Sequence, residues 1–232
     1  MTPPGRTPAA GSNAPTGEVK EAFLERLAAV PVVAILRAAN AERFLEVGRV
    51  LYEGGVRAIE VTLTSEGALE AFGRLREELP GDAVLGVGTV RSAGDAELAL
   101  EAGATYLVAP DFRDEVVAFA VGRDLPVVPG ALTPTEVVAA WGAGATAVKV
   151  FPVSAVGGVA YVKAVRAPLP EVPLLPTGGV GIDDIGAYLD AGAVAVGVGS
   201  PLVGDAGAPG GDLRGLAERA RRAVAAAGRA GR

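Results

Sequence analysis

The 232-residue chain contains no cysteine and no histidine. Without cysteine there is no disulfide framework, no thiolate nucleophile and no Cys-ligated zinc. Without histidine the usual general base at neutral pH is missing, together with every Ser–His or Cys–His nucleophile and the commonest ligand of catalytic zinc. Chemistry therefore has to run on Lys, Glu, Asp, Arg or Tyr, with no metal cofactor expected. Lysine is itself scarce, since Lys20, Lys149 and Lys163 are the only three and the rest of the 21 basic residues are Arg. No apolar run approaches the ~20 residues of a membrane-spanning helix, and the N-terminus lacks the basic-then-apolar order of a secretory signal, so a soluble, cytoplasmic protein is expected. A formal charge of −6 opposes a nucleic-acid footprint, which needs clustered basic residues. The expected partner is a small molecule.

Half of the residues are apolar and 21% are charged, ample for a buried core and too uncharged for a disordered chain. Residues 1–16 (MTPPGRTPAAGSNAPT) offer nothing apolar enough to dock and are expected to form a disordered tail, leaving 17–232 as one domain. The spacing of Val19, Phe23, Leu24 and Leu27 predicts an extra N-terminal helix. Short Val/Ile/Leu-rich runs then alternate with stretches of helical period. Strands are predicted near 32–37, 57–63, 83–89, 105–109, 126–130, 146–151, 173–177 and 194–199. Helices are predicted near 41–53, 66–79, 93–102, 112–122, 134–142, 157–166, 182–191 and 211–227. Strands apolar at consecutive positions are those of a parallel sheet covered by helices. Eight such units predict a closed (β/α)8 barrel of the TIM type.

An internal repeat sharpens this. Glu53–Glu60, Glu101–Val108, Gly142–Lys149 and Asp190–Gly197 align on Gly55, Gly103, Gly144 and Gly192, where a helix ends and the next strand begins. Glycine there suits a left-handed helix terminus. The fifth residue after each glycine should lie at one height on one side of its strand, which selects Glu60, Val108, Lys149 and Gly197. Strands two and six are opposite in an eight-stranded ring, so Glu60 and Lys149 are predicted to face each other across the lumen, with Gly197 leaving room. Polar residues at the C-terminal strand ends of this fold form its active sites.

Lys149, inside Ala147-Val-Lys-Val-Phe151, is the strongest chemical signal. Lysine is rarely buried without a partner or a purpose, and desolvation makes an amine nucleophilic by disfavouring its ammonium form. A Schiff-base lysine and a structural ion pair with Glu60 are the two alternatives. Glu60 is the only acid within a strand run, suited to shuttling protons. A carboxylate touching Lys149 would favour the ammonium, so the catalytic alternative requires a looser contact. Thr177-Gly178-Gly179 after strand seven and Gly197-Val-Gly199-Ser200 after strand eight fit a phosphate cradle, at the place where this fold binds phosphate. Arg37, ending strand one, suits a carboxylate or a phosphate, and Thr62, Thr64 and Thr89 offer hydroxyls at strand ends.

Taken in order, Arg37-Ala38, GGVRAIEVTLT from Gly54 to Thr64, Gly86-Val-Gly-Thr89, Ala109-Pro110, Val128-Pro-Gly130 with Thr133-Pro134, Lys149-Val-Phe-Pro152, Pro176-Thr-Gly-Gly179 and Gly197-Val-Gly-Ser200 resemble the bacterial 2-keto-3-deoxy-6-phosphogluconate/4-hydroxy-2-oxoglutarate aldolase family over residues 20–205. The resemblance implies a metal-free class I aldolase of the Entner–Doudoroff type, usually a homotrimer, acting on a phosphorylated keto acid. It implies Lys149 as the Schiff-base lysine and Glu60 as general acid/base. Thr89, Pro110 and Phe151 would line the pyruvate end, and Thr177, Gly178, Gly179, Gly199 and Ser200 would hold the phosphate. Where some members carry Arg after Glu-Val-Thr-Leu, this chain has Thr64, while others pair a threonine there with the Arg found here as Arg37. The expected reaction is reversible cleavage of 2-keto-3-deoxy-6-phosphogluconate to pyruvate and glyceraldehyde 3-phosphate. The alternatives are the phosphogalactonate epimer, unphosphorylated 4-hydroxy-2-oxoglutarate, a phosphate-ligand isomerase barrel without a covalent intermediate, and a non-catalytic binding barrel.

Overall fold

The computed structural model describes residues 17–228, so the tail expected at 1–16 lies outside the described residues. Nine short strands carry the Val/Ile/Leu-rich runs: β1 (Val32–Leu36), β2 (Ala58–Thr62), β3 (Val84–Gly88), β4 (Tyr106–Val108), β5 (Val127–Val128), β6 (Gly130–Ala131), β7 (Val148–Val150), β8 (Leu174–Pro176) and β9 (Val196–Val198). Every strand residue is buried, as expected for a parallel sheet covered on both faces. The helices are α1 (Gly17–Ala29), α2 (Phe44–Glu53), α3 (Ala68–Glu78), α4 (Ala93–Glu101), α5 (Asp114–Val121), α6 (Pro134–Gly142), α7 (Val159–Arg166), α8 (Ile185–Asp190), α9 (Ser200–Val203) and α10 (Leu213–Ala227). Local chemistry starts several of them. Thr133 and Glu136 form a reciprocal capping box ahead of Pro134, Ser92 accepts from the Asp95 N–H, and Asp212 accepts from the Gly215 N–H. No described helix is long and apolar enough to cross a membrane.

The four aligned glycines are all left-handed, with φ of 95° at Gly55, 89° at Gly103, 103° at Gly144 and 91° at Gly192. The repeat therefore marks true structural equivalents. Strand pairing corrects the expected closed barrel, however. The ladders form two parallel sheets, a curled six-stranded one in the order β5-β4-β3-β2-β1-β9 and a three-stranded one in the order β6-β7-β8. The strand expected near 126–130 is split at Pro129, which has no N–H to give to a ladder. Its carbonyl still accepts from Lys149 N–H. Beyond the ladders, Thr146 N–H donates to Val127 O, Val194 N–H donates to Leu174 O, and Thr177 pairs with Gly197 in an isolated parallel bridge.

Two apolar cores lie on opposite faces of the strands. The larger sits between strands and helices. The smaller draws Val33, Ala58, Val84, Tyr106, Val108, Val128, Ala147, Leu175 and Ala195 from all eight strand runs, and α1 covers it with Phe23 and Leu27. The Phe23 and Tyr106 rings meet there at 5.1 Å.

Candidate active site

Alternation along a strand decides which side chains enter the inner space. On β7, Val148 and Val150 pack outward against the helices, which turns Lys149 inward beside Ala147. On β2, Ile59 and Val61 go outward, and Glu60 goes inward above Ala58. Lys149 Nζ and Glu60 Oε1 approach to 3.9 Å, and the two residues are 3% and 2% exposed. That separation is wider than a hydrogen bond, and Glu60 Oε1 has no hydrogen-bond partner. Gly88, on the neighbouring strand, is the backbone over which the carboxylate lies: a methyl there would stand 2.6 Å from Glu60 Cγ and nearer still to the carboxyl group. The ammonium or amine also lies 5.1 Å from the centroid of the Phe151 ring.

A cavity of about 350 Å³ opens above Lys149. Ile35, Arg37, Phe151, Thr177, Gly178, Gly179, Gly199 and Ser200 line it together with Lys149. Gly178 and Gly179 have φ of 86° and 80°, a pair of consecutive left-handed residues that only glycine adopts readily. Gly178 also has no room for a side chain, since a methyl would come within 3.0 Å of both Phe151 and the backbone of Pro152. Arg37 donates to Thr89 Oγ1 at 3.3 Å, which places the guanidinium at the mouth.

Residues 23–214 match the family model described as KDPG and KHG aldolase. The chain belongs to the KDPG and KHG aldolase family. It is 37% identical over 166 residues to the 2-dehydro-3-deoxy-phosphogluconate aldolase of Treponema pallidum, covering 72% of this chain and 77% of the relative. A solved 4-hydroxy-2-oxoglutarate/2-dehydro-3-deoxyphosphogluconate aldolase from TTHB1 is 41% identical, with a TM-score of 0.76 and coverage of 88% of this chain and 97% of that one. A Legionella pneumophila KDPG aldolase, solved with pyruvate captured at low pH as a covalent carbinolamine intermediate, is 27% identical with a TM-score of 0.77, covering 85% and 96%.

The other residues singled out in this family member fall in different places. Pro110 and Phe151 line an adjoining cavity of about 310 Å³ with Gly130, whose missing side chain admits the Pro110 carbonyl. Thr62 is fully buried, and its hydroxyl donates to Leu36 O at 3.0 Å, tying β2 to β1. Thr64 is exposed and its hydroxyl reaches only Thr62 Oγ1, at 3.4 Å. Neither lines the cavity.

Several features had no sequence signal. Thr89 has φ of 62°, an outlier for a β-branched residue that stores strain beside Arg37. The one-turn helix α9 begins at Ser200, and Arg219 of α10 donates to its last carbonyls, Leu202 O at 2.7 Å and Val203 O at 3.0 Å. Tyr106 is wholly buried, and burial together with the Glu60 carboxylate pushes its phenol well above the ordinary range. Among the described residues, no group of three or more acidic, His or Cys side chains assembles as a metal site.

Proposed function

We propose that this chain reversibly cleaves 2-keto-3-deoxy-6-phosphogluconate into pyruvate and glyceraldehyde 3-phosphate as a class I aldolase. The observation that carries this is the buried Lys149–Glu60 pair, 3.9 Å apart, of which Lys149 lines a glycine-rich cavity. In this mechanism the Lys149 amine attacks the C2 ketone and water leaves to give the imine. The protonated imine accepts the electron pair released as C3–C4 breaks. Glu60 takes the proton of the C4 hydroxyl and later returns one to C3 of the enamine, after which water hydrolyses the imine and frees pyruvate. The loose Lys149–Glu60 contact suits this work, because a tight ion pair would hold the lysine as an ammonium.

In this reading Arg37, hydrogen-bonded to Thr89, takes the substrate carboxylate, while Thr62, spent on Leu36 O, and Thr64 stay outside the cavity. Phe151 and Pro110 bound the pyruvate end, and Thr177, Gly178, Gly179, Gly199 and Ser200 hold the phosphate. The two sheets act as one (β/α)8 barrel whose seams are bridged by the Thr146–Val127, Val194–Leu174 and Thr177–Gly197 contacts. A cytoplasmic homotrimer completes the proposal. The double name of the 41% identical neighbour favours 4-hydroxy-2-oxoglutarate as a second substrate.

Borohydride reduction in the presence of pyruvate, followed by peptide mapping, tests the mechanism. The three-carbon adduct is expected on Lys149, and Lys149→Ala should lose both the adduct and turnover. An adduct on Lys20 or Lys163, or full turnover with no adduct, overturns it.

A further inference from the structure

Among the described residues, two buried side-chain polar atoms have no hydrogen-bond partner: Glu60 Oε1 and the Tyr106 hydroxyl. Their positions are linked. Strand register sets Glu60, Gly86 and Tyr106 in one row across β2, β3 and β4, and the middle residue has no side chain. The Tyr106 ring lies across that gap, where a methyl on Gly86 would stand 2.6 Å from Cδ1 and nearer still to Cε1 and Cζ. Gly88, two residues further along the same face of β3, is covered in the same way by the Glu60 carboxyl group. One strand thus gives up two successive inward positions, and a phenol and a carboxylate occupy them. Buried polar groups are almost always paired, so two adjacent unpaired ones, one able to donate and the other to accept, are natural partners.

We propose that Tyr106 is a positioning residue for Glu60: its hydroxyl donates to the carboxylate, directly after a small side-chain movement or across one bound water. The phenol stays protonated and able to donate, because burial and the Glu60 charge oppose its ionisation. The bond would give the carboxylate a partner other than Lys149 and keep acid and amine apart until substrate enters. The titratable groups facing Glu60 are Lys149 from β7 and Tyr106 from β4; β1 presents Ile35, and β3 presents Gly86 and Gly88. The proposal rests on the lysine–glutamate chemistry argued above.

Tyr106→Phe keeps the ring, its seat over Gly86 and its contact with Phe23, and removes one oxygen. The variant should lower kcat roughly 10-fold, the effect of losing one hydrogen bond to a charged group, and leave KM within about 2-fold. Exchange of the pyruvate methyl protons in D₂O should slow in parallel, while borohydride trapping on Lys149 stays at the wild-type level. A variant with wild-type kcat and exchange rate makes the phenol a packing group and overturns the proposal. Failure of the wild type to trap pyruvate would instead overturn the underlying aldolase mechanism, and this proposal with it.

Discussion

Gly88→Ala separates a catalytic Glu60 from a merely structural one. Gly88 lies in a buried strand, without positive φ, so alanine suits its backbone and should contribute about 0.5–1 kcal/mol through the reduced entropy of the unfolded chain. The new methyl would stand 2.6 Å from Glu60 Cγ, whereas carbon atoms rest at about 3.5–4.0 Å, so the side chain has to retreat by on the order of 1 Å. The carboxyl is the free end of a flexible chain, and pushing it off a rotamer costs about 0.5–1.5 kcal/mol. These terms nearly cancel, so the melting temperature should move little. Catalysis has no such compensation: a 1 Å misplacement of a reacting group costs roughly 100-fold in rate. The expected result is a folded protein with kcat down by about two orders of magnitude and Lys149 still trapped by borohydride with pyruvate. A variant that folds normally and turns over within about 3-fold of the wild type would refute the assignment of proton transfer to Glu60.

Arg37→Ala should raise the KM for pyruvate in condensation, and for the keto acid in cleavage, by about 10–100-fold, corresponding to ~1.5–3 kcal/mol in a charged hydrogen bond. Steady-state kinetics in both directions check this, and an unaltered pyruvate KM removes Arg37 from carboxylate recognition. At α6, the Glu136 carboxylate accepts from Leu132 N–H at 2.7 Å and Thr133 N–H at 2.8 Å, which holds its pKa below the ordinary value. A depressed folded-state pKa stabilises the fold above the ordinary carboxylate range and loses that contribution as pH falls through the folded value. The melting-temperature gap between wild type and Glu136→Gln should therefore shrink on acidification from pH 7 to about pH 3; a constant gap would exclude the linkage.

Much of the site was legible because repetition encodes geometry. Four glycines at equivalent helix ends told which later residues share a height, and that arithmetic brought Glu60 and Lys149 together although they are far apart in sequence. What stayed hidden depends on single atoms or single torsions. Alternation sets the side of β2 that Thr62 occupies but not that its hydroxyl goes to Leu36 O. Nothing in the residue names forecasts a left-handed Thr89, because local sequence disfavours it and only the surrounding structure imposes it. Pro129 was visible, yet an apolar run read as one strand hid the break that a missing N–H makes in it. Tyr106 occupies the same repeat position as Ala58, Ala147 and Ala195, and only the row through Gly86 shows what its ring reaches.

The role of α1 follows from its place ahead of the repeats. Each βα unit sends strand side chains into the smaller core, while its helix packs on the opposite face of the strands. The floor has to come from outside the repetition. α1 is that outside piece: it precedes the first unit and lays Phe23 and Leu27 across the residues that all eight strand runs send inward. A chain made of the repeating units alone would leave an uncovered apolar ring at one end, directly beneath Tyr106 and the row that leads to Glu60.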